Sequence, residues 1–139
     1  MQPHMDKMTR VLTLVVAVIL SDGHVSPEEL ELFELMVEDL GVEEAKVHAF
    51  RQALNGQVDF DRERAVIEAA QGIGWAEVAE MVREAYVVAH VDQSVELAEV
   101  HVIEPFLRAA GMPAERLPAA RAWARMAMQH MALAEAVFG

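Results

Sequence analysis

Apolar residues recur along this chain at helical spacing, and nowhere do they alternate in the two-residue period of strands joined by hairpin turns. The pattern predicts an all-α domain of about seven helices in a compact bundle. The first helix, over about 5–20, contains the run Val11 to Leu20, interrupted only by Thr13. A helix apolar nearly all round belongs at the centre of a bundle. The second opens with Ser26 as N-cap, Pro27 at the first helical position and Glu29 completing a capping box. It closes at Leu40, where Gly41 can take a left-handed conformation. Its apolar stripe is Leu30, Phe33, Met36, Val37 and Leu40. Further helices are expected over about 43–54, 61–71, 75–90 and 94–110. Pro105 should kink or split the last of these. A final helix begins near Pro113 or Pro118, with Pro118 favoured as its first residue, and runs to about Phe138. Its Met126, Met128, Met131, Leu133 and Val137 read as core and packing residues rather than a cofactor box.

The pattern also repeats once, at an offset of 70 residues. Asp22, Val25, Glu29 and Gly41 recur as Asp92, Val95, Glu99 and Gly111, and Val18, Glu34, Ala49 and Arg51 as Val88, Glu104, Ala119 and Arg121. Identities and apolar pattern agree over a helix-loop-helix-turn unit, which predicts an internal pseudo-two-fold repeat. The copies cover about 8–54 and 78–124, joined by a connector over about 55–77. The whole of 1–139 reads as one domain, a common single-domain length that can bury a sizeable core.

Composition narrows the function. There is no cysteine, which excludes disulfides, thiol catalysis and thiolate metal sites and fits a reducing cytoplasm. The net charge of −12 argues against nucleic acid, because phosphate binding needs a basic patch. It argues equally against anionic lipid and favours cations or a basic partner. Lys7 and Arg10 before Val11–Leu20 mimic a signal peptide. The run is too short to span a bilayer, no Ala-x-Ala-like site follows it, and it has a mid-chain counterpart in Met81–Val91, so no membrane insertion is expected.

The candidate chemistry lies in the repeated acids. Asp22 sits where the chain leaves the first helix and Glu29 one turn into the second; Asp92 and Glu99 match them. Two carboxylates per loop, with loop carbonyls and water, suit a hard cation such as Ca²⁺ or Mg²⁺. The competing assignment is structural: Glu29 returns to the Ser26 amide and Asp22 accepts loop N–H bonds. In the second copy Glu96 replaces Ser26, so capping alone leaves the retained Asp92 and Glu99 unexplained. His24 and His90 lie near the two Asp residues, and a mixed imidazole–carboxylate site for Zn²⁺ or Mn²⁺ is the less favoured variant. No Glu is followed three residues later by His, so the ferritin-like di-iron pattern is missing, and no nucleophile elbow, phosphate loop or triad-like set is present. A non-enzymatic protein is expected. From Glu28 to Glu44 eight acids occur with no Lys or Arg. Such a run is ordinarily the solvated side of a helix; its alternative use is a docking face for a basic partner.

Ala17-Val18-Ile19-Leu20-Ser21-Asp22-Gly23-His24-Val25-Ser26-Pro27-Glu28-Glu29, followed by Leu40-Gly41, resembles the signature of the TerB-like family, named for tellurite resistance. The resemblance extends from about Thr9 to Ala134, the second copy being Ala89 to Gly111. That copy departs from the pattern at Gln93, which stands where the first has Gly23, and at His90-Val91, where Ala-Ala is commoner. The resemblance implies an all-helical, non-catalytic stress-response or tellurite-resistance domain with metal-binding acids at its loops. By that carry-over the metal positions are Asp22, Glu29, Asp92 and Glu99. Related domains are also fused to other modules, including J-domain co-chaperones, so an adaptor role follows as the alternative.

Overall fold

The apolar N-terminal helix forms and becomes the axis of the bundle. The structure is a computed structural model that describes residues 5–91 and 95–139. Helix α1 (Lys7–Ile19) has every residue from Thr9 to Ile19 buried. Helices α2 (Pro27–Leu40), α3 (Glu44–Leu54), α4 (Arg62–Ala69) and α5 (Trp75–Val91) pack around it, α4 and α5 most extensively. A continuous helix α6 covers 95–109, and α7 (Leu117–Phe138) closes the chain against α5. The described residues contain no strand, so the all-α expectation holds. No helix among them is long and apolar enough to cross a membrane.

The local signals act where the sequence puts them. Asp6 caps α1, its carboxylate accepting from the Thr9 amide at 2.8 Å. Gly41 ends α2 at φ 64°, a conformation that costs other residues a steric penalty. Phe33, fully buried on the α2 stripe, meets Phe50 of α3 edge-to-face at 6.5 Å. Arg10, which from sequence looked like part of a charged flank, is 5% exposed. Its Nη1 donates to the Ala69 carbonyl at 2.9 Å and its Nε to the Met5 carbonyl at 2.9 Å. A guanidinium on the last carbonyls of α4 satisfies acceptors that a helix end leaves open and meets the negative end of its dipole.

Two expectations need correction. Pro105 does not split α6, which stays helical on both sides of it. The helix instead widens into a π turn over Glu99–Ile103, where the Glu104 amide donates to the Glu99 carbonyl five residues back. That turn comes just before a residue with no N–H and with a ring that crowds the carbonyl four residues earlier. The second concerns α7. It starts at Leu117, near Pro118 as expected, but only its Ala124 and Met128 are buried. Met126, Met131, Leu133 and Val137 are 67%, 49%, 62% and 63% exposed, so they are not core. Every residue of α7 from Gln129 onward is exposed, and periodicity alone does not reveal what covers an apolar stripe.

Candidate functional site

The chain leaves α1 through a short 3₁₀ turn, Leu20–Asp22, ended by Gly23 at φ 75°. Asp22 Oδ1 accepts from the His24 amide at 2.9 Å, an Asx turn that fixes the loop. The Ser21 hydroxyl donates to the Val18 carbonyl at 2.6 Å. Arg62, at the start of α4, brings its Nη1 to 3.5 Å from the Ser21 carbonyl. The turn packs against Val95–Ala98, the first segment of α6.

Glu29 forms the expected capping box. Its Oε1 accepts from the Ser26 amide at 2.9 Å, and its own amide donates to Ser26 Oγ at 3.1 Å. Glu29 is fully buried, which a cap on a solvated helix end does not require.

Glu99 is buried as well, at 2% exposure, but its partners differ in kind. It opens the π turn of α6, which aims it between α5 and α7. The Tyr86 hydroxyl donates to Oε2 across a short contact. Arg125 clamps both carboxylate oxygens, Nε to Oε2 at 3.0 Å and Nη2 to Oε1 at 2.5 Å, a bidentate pairing with the planar fork of guanidinium. Arg121 adds charge with its Nε 3.8 Å from Oε2 while its Nη2 bonds Glu104. Burial pushes the Glu99 carboxyl pKa up; the Arg125 and Tyr86 hydrogen bonds and the charges of Arg125 and Arg121 overcome this and lower it from its ordinary value. Tyr86 is shifted upward by burial, reinforced by its bond to Glu99.

Of the four positions singled out from sequence, Asp22 is in a loop turn, Glu29 in a cap and Glu99 in an arginine clamp. Asp92 lies outside the described residues. Among the described residues no three His, Asp or Glu side chains converge as metal ligands. His24 and His90 are both exposed. Sequence reading missed Tyr86, Arg125 and Arg10. The signal was weak: Tyr86 is the chain's one tyrosine, and at the offset of 70 residues it and Arg125 stand opposite Val16 and Asn55, so the repeat hides them. One repeat-related pairing is visible in both copies: Arg51 with Glu34 and Arg121 with Glu104, each 17 residues apart.

The eight acids between Glu28 and Glu44 divide in the same way. Glu29 is buried and Glu34 receives Arg51 at 2.7 and 2.9 Å. Glu28, Glu31, Glu38 and Asp39 stay exposed on α2, with Leu35 54% exposed among them. Comparison with family models, curated proteins and solved structures finds no match to this chain.

Proposed function

We propose that this chain is a non-enzymatic, TerB-like helical binding domain that docks a basic partner on the solvent face of α2. The observation that carries this reading is the row Glu28, Glu31, Glu38 and Asp39, exposed and of one sign, with the apolar Leu35 in its midst. Arg51 neutralises only the edge of the row, through Glu34. A net charge of −12 adds long-range attraction for a cationic partner and sets a strong dependence on ionic strength. Leu35 supplies an apolar contact, so an amphipathic basic segment fits better than a free polycation. The test is a pull-down at low and high salt with wild type and with Glu31→Lys/Glu38→Lys. A specific partner retained by wild type and lost from the variant supports the docking face. An unchanged set of captured proteins in the variant rules it out.

A second reading stays in view because of the contact between Leu20–Asp22 and Val95–Ala98. One divalent cation, Ca²⁺ or Mg²⁺ before Zn²⁺ or Mn²⁺, would be bound near this turn, with Asp22, Glu29 and Asp92 as the acids to test. Glu99 contributes least to this reading, since Arg125 already supplies the positive charge a cation would bring. A cytoplasmic role in stress response or tellurite resistance belongs to the same reading and rests on the resemblance in the first loop. The test is a thermal melt with EDTA and then with each cation, on wild type and Asp22→Asn. A cation bound only by the folded state adds about 2.7 kcal/mol at a hundredfold excess over its dissociation constant. A cation-specific rise abolished by Asp22→Asn supports the site; no rise with any of the four cations removes it.

A further inference from the structure

Helix α7 differs in charge from the body it rests on. It holds two Arg and one Glu, a net +1, while the other residues carry −13, from 9 Lys and Arg against 22 Asp and Glu. No acid occurs from Leu117 to Ala134. Arg121, Ala124, Arg125 and Met128 follow the i, i+3, i+4, i+7 spacing of one helical face, and Ala124 and Met128 are the residues that α7 buries. α7 is thus a basic amphipathic helix seated on an acidic body. The seat is made by α5 and α6: α7 packs along α5, Arg125 closes on Glu99 and Arg121 on Glu104. From the body side the Tyr86 hydroxyl of α5 also donates to Glu99, which orients the acceptor without help from α7.

The attachment is polar and narrow. α7 buries two of its 22 residues, whereas α1 buries 11 of 13. Both arginines keep more than two-fifths of their side chains in water, 43% for Arg121 and 45% for Arg125. The connector over 111–116 is exposed at every residue but Met112. The main-chain amides of Gly111, Met112 and Arg116 bond only to Arg108, Leu107 and Pro113, so turning this connector breaks no bond to a distant element. We propose that α7 is a releasable strap, which swings off about this connector while α1 to α6 stay folded, and that the vacated seat takes a basic amphipathic helix of another protein on Glu99 and Glu104. The resident helix sets the chemistry of that partner: two Arg four residues apart, with small or Met side chains between and beyond them on the same face, docked as a helix in a groove. α7 then acts as a built-in competitor, and the apparent affinity of the partner falls by the fraction of time the seat is open. The seat uses none of the residues in the acidic row of α2.

Two measurements on the full chain test this. In native-state hydrogen exchange the amides of 120–128 are expected to open without global unfolding, with protection at least about a hundredfold below that of α1. Equal protection would mean that α7 leaves only when the whole domain unfolds, and it overturns the strap. The second measurement is fluorescence anisotropy of a labelled peptide of residues 117–138, whose eight Ala favour the helix in isolation. We expect weak binding to wild type and about tenfold tighter binding to the Arg125→Ala chain, because a loosened resident helix leaves the seat open more often. Arg121→Ala, which leaves Glu99 its Arg125, is expected to shift affinity the same way by less, and it keeps the test decisive should Arg125→Ala fold poorly by circular dichroism. A peptide carrying Arg121→Glu/Arg125→Glu is expected not to bind. Peptide affinity equal for wild type and the folded variants, or unaffected by the charge reversal in the peptide, puts the binding elsewhere and overturns the seat. Absence of binding to the loosened chain at ~100 μM, where a complex of micromolar affinity is filled, overturns it too.

Discussion

Glu29 and Glu99 stand 70 residues apart at matching places in the sequence, and both are buried, yet they are stabilised by different means. Glu29 closes a capping box with Ser26, its Oε1 accepting from the Ser26 main-chain N–H at 2.9 Å and its amide donating to Ser26 Oγ at 3.1 Å, a contact made within three residues. Glu96, which the offset aligns with Ser26, lies inside α6 and carries no hydroxyl to accept from the Glu99 amide. The charge of Glu99 is met by Arg125 and Tyr86, which are 26 and 13 residues away. Those two residues have no counterparts in the first copy, where the offset places Asn55 and Val16. A retained acid can therefore conserve a position while changing its partner. What each carboxylate needs, once out of water, is a set of donors, and any local or distant source will serve.

The largest effect that separates the two copies is expected from Glu99→Ala. Removing one partner of a buried ion pair costs ~3–5 kcal/mol when the other charge is stranded. Arg125 is 45% exposed at its side chain and can rehydrate, while the buried Tyr86 hydroxyl loses its acceptor. We expect a loss of about 2–3 kcal/mol, read by urea unfolding. A loss below about 1 kcal/mol would mean the clamp contributes little net stability, as replaceable buried pairs can. The clamp also carries a pH signature. Because the folded state lowers the Glu99 pKa, its contribution is complete above the ordinary carboxyl value of 4.5 and is lost as pH falls through the lower folded value. The stability gap between wild type and Glu99→Gln should therefore be constant from pH 7 down to about 5 and narrow below that. A gap that widens on acidification would assign the shift the wrong sign.

The matching change in the first copy is Ser26→Ala. It removes the acceptor for the Glu29 amide and leaves the Glu29 carboxylate on the Ser26 main-chain N–H. Loss of an N-cap costs ~1 kcal/mol, so this variant should unfold at slightly lower urea, with an unchanged m-value. If Ser26→Ala proves as damaging as Glu99→Ala, the two sites are closer in energetics than their partners suggest.

How far each feature could be read from sequence follows from the same distinction between local and distant partners. The α2 cap, its Gly41 terminus and the buried α1 were legible because each depends on residues within a turn or two, or on apolar periodicity. The π turn at Glu99–Ile103 was half legible: Pro105 announced a disturbance, but whether a helix bends or widens depends on what packs beside it. The clamp was illegible, since nothing in the spacing of Tyr86, Glu99 and Arg125 joins three separate helices. Arg10 was misleading for the same reason; its partners are the carbonyls of Ala69 and Met5, and a sequence does not display carbonyls. The outer stripe of α7 was visible as apolar, but a stripe does not say whether its cover comes from the same chain.

The smallest expected difference lies between the two arginines that the repeat aligns. Arg51 pairs with Glu34 and Glu44, both carboxylates exposed. Exposed pairs contribute ~0.2–1 kcal/mol and are screened by salt, so Arg51→Ala should cost under about 0.5 kcal/mol and nothing measurable in 1 M salt. Arg121 makes the equivalent bond to Glu104 but also lies 3.8 Å from the buried Glu99 carboxylate. A charge beside a buried partner is screened less, so Arg121→Ala should cost more than Arg51→Ala and keep part of that cost in 1 M salt. The difference is measurable as two urea midpoints at two ionic strengths. Equal, fully screened losses would mean that Arg125 alone neutralises Glu99, and that Arg121 serves the second copy only as Arg51 serves the first.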